Sequence, residues 1–148
     1  MESLLKERFA EKIKSIKKDR DELTIEVSKE DLVEICKTLR DDPSFKFNYL
    51  SDITGVDWFE QREERFELVY HLYSLETYQR LRIKVRLKEG EKVKSVVSVW
   101  PTANWHEREC YDLLGIEFEE HPGLERILTP YGFEEGYPLR KDYPLRGK

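Results

Sequence analysis

A chain of 148 residues is long enough for one hydrophobic core, and a domain of that size removes roughly two thirds of its unfolded surface from water. Its 39% hydrophobic share, with three Trp, eight Tyr and seven Phe, excludes a disordered chain. A net charge of −5 and a pI near 5.4 exclude the concentrated positive field that nucleic acid demands.

No apolar run approaches the length needed to span a bilayer, and MESLLKERFAEKIK carries charges where a secretory signal needs an unbroken apolar stretch. The expectation is a chain inside the cell that meets a membrane only indirectly. Cys36 and Cys110 fall among apolar neighbours and give no disulfide framework, which fits a reducing compartment. Charged residues reach 39% of the chain and Gln occurs only at Gln61 and Gln79, the surface chemistry of proteins from hot environments.

Leu5, Phe9, Ile13 and Ile16 recur at helical spacing and predict an amphipathic helix to about Lys18. LTIEV reads as a short strand. Ser28 followed by Asp31 resembles a capping box opening a helix with Leu32, Ile35, Cys36 and Leu39 on one face, and DDPSF breaks it. Alternation of Phe45, Phe47 and Tyr49 predicts a strand from about Phe45 to Leu50, with QREER as the next turn. FELVYHLY, LRIKVRL and VVSVW then read as three strands in succession. In LRIKVRL the aliphatic residues face a core, while Arg82, Lys84, Arg86 and the following Lys88 form a basic face that suits either solvent or an acidic partner.

A helix follows Pro101, with Asn104 as its cap, Glu107 completing a capping box and Gly115 as its left-handed stop. It holds His106, Glu107, Glu109, Cys110 and Asp112 in one short segment. At 100° per residue Cys110, Leu113 and Leu114 share one side with His106 and Glu107 beside them, whereas Arg108, Glu109 and Asp112 point away. The carboxylates therefore do not converge into an acid/base pair. His106 and Cys110 would make half of a metal site, with only His71 and His121 to complete it, and two distant cysteines cannot hold an iron–sulfur cluster. No catalytic, cofactor or metal residue is assigned. Glu107, beside the apolar face, calls for its own cap or for Arg126 or Arg140 as an ion-pair partner that would fix the tail.

HPGLERIL adds at most one or two helical turns. From Thr129, prolines and glycines leave no room for a helix or ladder, and YPLR occurs twice, at Tyr137–Arg140 and Tyr143–Arg146. Tyr, Arg and Pro in an extended chain are interface material. The expected organisation is an α+β domain over residues 1–128, with N-terminal helices on a mostly antiparallel sheet and a short helix, followed by an extended, irregular, partner-binding tail over 129–148.

ERECYDLLGIEFEEHPGLERIL together with YPLRKDYPL resembles the signature region of the C-type subunits of respiratory complex I, the proton-translocating NADH:quinone oxidoreductase. Glu107, Arg108, Glu109, Asp112, Gly115, His121, Pro122, Arg126, Ile127 and Leu128 fall on family positions, as do Gly136, Pro138, Leu139, Arg140, Lys141 and Asp142. Glu125 stands where the family usually has a basic residue, and Tyr137 where it usually has His. The resemblance implies a cofactor-free structural subunit of the peripheral arm on the cytoplasmic side of the cell membrane. It would scaffold the D-type large subunit, which is related to the hydrogenase large subunit and helps form the quinone site, with FMN and iron–sulfur clusters held by partner subunits. The same resemblance extends to the equivalent subunit of membrane-bound hydrogenases and ferredoxin-linked ion-pumping complexes.

Overall fold

The computed structural model describes residues 1–20, 22–123, 137 and 139–140. In chain order these form α1 (Glu2–Phe9), β1 (Ile13–Asp19), β2 (Glu22–Val27), α2 (Leu32–Asp41), β3 (Tyr49–Asp57), β4 (Phe66–Tyr73), β5 (Arg80–Leu87), β6 (Val93–Lys94), α3 (Ala103–Leu114) and β7 (Phe118–Glu119). Five strands make one sheet in the order β1-β2-β5-β4-β3, antiparallel except where β2 runs parallel to β5. β6 and β7 pair separately, in parallel. The fold is α+β. One face of the sheet carries the core, in which Ile25, Val27, Leu68, Tyr70, Ile83 and Val85 are wholly buried with Leu32, Ile35 and Leu39 of α2.

The helix expected to reach Lys18 ends at Phe9, and Ile13 and Ile16 belong to a strand. Leu5 and Phe9 are the helical residues buried in the core, with Leu4 packed partly against it. A bulge between Ile13 and Ser15 explains the misleading spacing: Ile13 lies opposite Val27 and Ile16 opposite Ile25, so residues three apart share one face of β1. Pairing with β2 outweighs a weak local helix signal.

β3 carries the same device. The strand expected over Phe45–Leu50 is displaced to Tyr49–Asp57, and a bulge between Leu50 and Asp52 puts Leu50 and Ile53 on the core side. Phe45 and Phe47 lie instead in a tight turn after α2, where the Phe45 N–H donates to the Asp42 carbonyl at 2.9 Å and the Phe47 N–H to the Leu39 carbonyl at 2.8 Å. Both rings are fully buried, so their alternation reports packing and not a ladder. The expected capping box at α2 also differs. Asp31 is the N-cap, and the Ser28 hydroxyl donates to its carboxylate at 3.1 Å without reaching the helix.

VVSVW is not a strand. β6 ends at Lys94, and Val96–Trp100 fold into a turn closed by the Val99 and Trp100 N–H groups on the Val96 carbonyl, each at 2.9 Å. Trp100 drops its indole into the core, donating to the Phe47 carbonyl at 3.0 Å. The basic face of β5 is matched within the sheet: Arg82 meets Glu22 at 3.2 Å and Arg86 meets Glu26 at 3.5 Å. These half-exposed pairs each contribute at most about 1 kcal/mol, and they answer the charge of the face locally.

Candidate functional site

α3 starts after Pro101, where Thr102 and not Asn104 is the N-cap, and stops at Gly115 with φ +79°, the left-handed conformation that glycine adopts without strain. The Gly115 N–H returns to the Tyr111 carbonyl at 2.8 Å. Ala103, Glu107, Cys110 and Leu114 face inward at helical spacing, and α3 packs on β3, where Gly55 has no side chain to obstruct Leu114.

Glu107 is wholly buried, and it does not complete a cap at its own helix. Its carboxylate accepts the Ser95 hydroxyl at 2.5 Å and the Val96 N–H at 2.8 Å, so it braces the turn that replaces the expected third strand. The His121 ring faces the same carboxylate, Nε2 standing 3.8 Å from Oε1 and 3.3 Å from the Asn104 carbonyl. Because the Gly123 N–H donates to His121 Nδ1 at 3.0 Å, the ring proton belongs on Nε2, toward Glu107. Burial pushes the Glu107 carboxyl up to about 7, against the opposing pull of its two donors.

Tyr70, Cys36 and Cys110 surround this carboxylate electrostatically, and burial raises all three. The Cys110 thiol, pushed up to about 12, rests 3.6 Å from the Ile53 carbonyl and is poorly suited to act as a nucleophile. Among the described residues, no group of three or more His, Cys, Asp or Glu side chains is arranged to hold a metal ion.

Asp112, on the side of α3 away from Cys110, is fully buried, so the C-terminal turn of the helix is enclosed on more than one side. One expectation for the motif residues needs correction. Arg140 does not pair with Glu107, whose acceptor sites are occupied. Its Nε donates to the Leu114 carbonyl at 2.7 Å, its Nη1 lies 3.4 Å from Glu89, and its guanidinium stacks over Phe66 and Tyr137. The Leu139 N–H donates to the Leu113 carbonyl at 2.9 Å. Two carbonyls left open at the end of α3 are thus satisfied by the first YPLR segment, with a cation where the helix dipole favours one.

Arg108 is half-buried, with its Nε lacking a hydrogen-bond partner among the described residues, and Glu109 lines a groove beside β3. Arg126, Pro138, Lys141 and Asp142, and the helical turns expected in HPGLERIL beyond Gly123, lie outside the described residues. Sequence reasoning missed Ser95, which no motif marks, and the buried pair in which Arg65 grips both oxygens of Asp57 at 2.8 and 2.9 Å. The second was visible only as an Asp before the QREER turn and the Arg that ends it.

An α+β domain whose central titratable group braces a turn, and whose Leu139 and Arg140 are fastened to the longest helix among the described residues, is the class that fold and site define. The description "Respiratory-chain NADH dehydrogenase, 30 Kd subunit" matches residues 25–148, and the chain belongs to that family. It is 52% identical over 126 residues to the C-type subunit of the NADH-quinone oxidoreductase of Parvibaculum lavamentivorans, covering 85% of this chain and 62% of the relative. It is 50% identical over 141 residues to a C-type subunit of the same enzyme from Rhizobium etli, covering 95% of this chain and 74% of the relative. The chain spans about three fifths of the length of several of these curated relatives. Among solved structures it resembles a trypsin-resistant fragment of Nqo5, with a TM-score of 0.71 and 33% identity over 83% of this chain and 98% of that one. It also resembles a chain of the membrane-bound sulfane sulfur reductase, an archaeal respiratory membrane complex, with a TM-score of 0.77 and 26% identity over 97% of this chain and 83% of that one.

Proposed function

We propose that this chain is the C-type subunit of a proton-translocating NADH-quinone oxidoreductase, a structural component of the peripheral arm on the cytoplasmic side of the cell membrane. The observation that carries this reading is the 52% identity that extends through 126 residues shared with such a subunit of Parvibaculum lavamentivorans. The buried site supports a structural role. Glu107 is committed to the Ser95–Val96 turn and Cys110 is enclosed, so His106, Glu107 and Cys110 do not present a nucleophile and base to a common substrate. In this reading the chain carries no cofactor of its own, and FMN and iron–sulfur clusters belong to neighbouring subunits.

Its principal partner is the D-type large subunit that helps form the quinone site, met by the family-motif residues of α3 and the tail: Arg108, Glu109, Arg126, Pro138, Leu139, Lys141 and Asp142. Glu107, Asp112, His121 and Arg140 serve beneath them, holding the helix and the start of the tail in place. No helix among the described residues is long and apolar enough to cross a membrane. In this reading, attachment to one runs through partners. The likeness to a sulfane sulfur reductase complex favours a second reading, the same scaffold role in a hydrogenase-type or ferredoxin-linked ion-pumping complex.

The test is to tag the chain in its native cell, solubilise the membranes gently and identify what migrates with it on a native gel. A flavin- and cluster-bearing NADH module establishes the first reading, whereas nickel-containing partners, or sulfur reductase partners without such a module, transfer the chain to the second. A chain that migrates alone refutes both.

A further inference from the structure

β1 and β3 are the two edges of the sheet, and they are protected very differently. β1 carries Lys14, Lys17 and Lys18 and has its bulge within the strand, both devices that discourage another strand from pairing there. β3 carries no lysine or arginine over its whole length, and its bulge lies at the start, before Ile53.

The hydrogen-bond phase of β3 follows from one contact. The Trp58 N–H donates to the Arg65 carbonyl at 2.7 Å, making that opposed pair a bonded one, and opposed pairs alternate along an antiparallel ladder. Ile53 and Gly55 therefore turn their N–H and C=O groups away from β4. The Cys110 thiol on the Ile53 carbonyl confirms the direction, and no other described group bonds to this outward set. These groups open into a groove of about 360 Å³ between β3 and α3, walled by Trp105, with its side of α3 continuing to Leu139. Trp105 and Leu139 remain 52% and 58% exposed, large apolar surfaces that the described residues leave uncovered. At the rim stand the carboxylates of Asp52 and Glu109, and no lysine or arginine among the described residues lines the groove.

We propose that the outer edge of β3 receives an extended segment of a neighbouring subunit, added to the sheet as a sixth strand, with an apolar side chain against Trp105 and lysine or arginine facing Asp52 and Glu109. Main-chain bonds to Ile53 and Gly55 supply the pairing, and the acidic rim selects a basic segment over an acidic one. The inference rests on the chain being part of a larger assembly.

The test is amide hydrogen exchange over Asp52–Val56, read by mass spectrometry on the full chain alone, on a chain ending at Arg140, and on the assembly recovered through a tag. Exchange at Ile53 and Gly55 is expected to slow by about 100-fold or more in the assembly and to be fast, and indifferent to the shortening, in the isolated chain. The pair of substitutions Asp52→Lys and Glu109→Lys should reduce recovery of partners about tenfold, while Glu76→Lys, in the loop between β4 and β5, leaves it unchanged. Partners recovered with unprotected β3 amides overturn this inference alone. Protection in the isolated chain that vanishes on shortening assigns the groove to the chain's own terminus and overturns it too. If the wild-type chain recovers no partner, the assembly reading falls and takes this inference with it.

Discussion

Replacing Glu107 by Gln tests whether the buried carboxylate is held against its own solvation. In the folded chain this carboxyl ionises at about 7, whereas the unfolded chain ionises it at the ordinary 4.5. A raised value means that the folded state keeps the proton longer, so the protonated form contributes its full stability below the ordinary value and loses it as pH rises through the folded one. Between those two values the wild type should weaken relative to Glu107→Gln by about 1.4 kcal/mol per pH unit, roughly 3 kcal/mol in all, and the difference should be flat on either side. Taking the difference between the two proteins cancels the titration of distant groups. Placing both on a His121→Ala background removes the imidazole whose Nε2 stands 3.8 Å from Glu107 Oε1, so that the comparison reads the carboxyl alone. Urea unfolding from about pH 4 to about pH 8 measures the curve. Parallel pH profiles for the two proteins would refute the claim that desolvation outweighs the Ser95 and Val96 hydrogen bonds.

Three other perturbations follow from single features. Gly55→Ala drives a methyl into Leu114 Cδ1 and should lower stability by about 1–3 kcal/mol in denaturant unfolding, with the α3–β3 packing loosened. Arg65→Met removes the two-pronged donor of the buried Asp57 carboxylate; a loss of about 3–5 kcal/mol is expected, and a change below about 1 kcal/mol would show that the pair is structurally idle. The Lys- and Glu-rich, Gln-poor surface leads us to propose a chain from a hot environment, so calorimetry should place its thermal midpoint above the roughly 65 °C upper limit of mesophile domains.

Elements that keep one unbroken period were legible from sequence. LRIKVRL alternates without interruption, and β5 lies where the pattern places it; Gly115 stops α3 as its lack of a side chain suggests. Where the reading failed, a bulge or a buried turn had broken the period. One inserted residue in β1 makes Ile13 and Ile16 look helical, and Ser51 breaks the alternation between Leu50 and Ile53 that would have extended the expected strand. Glu107 was legible as a carboxylate in need of a partner but not as one serving Ser95 and Val96, because a hydrogen bond spanning 12 residues leaves no spacing signature. The helical wheel placed Asp112 away from Cys110 but said nothing of its burial, because α3 is covered on more than one side.

The parallel seam between β2 and β5 also sets the order of assembly during synthesis. The β1–β2 hairpin and the β3–β4–β5 meander each close through short connections, yet Leu23 cannot meet Leu81 until the whole meander has left the ribosome. Until then the nascent chain holds β2 with its inner side unpaired and the apolar residues of α2 without a sheet to cover. Joining the two halves is the step that bears the entropy of closing a long loop, and it makes β5 the strand that completes the five-stranded sheet.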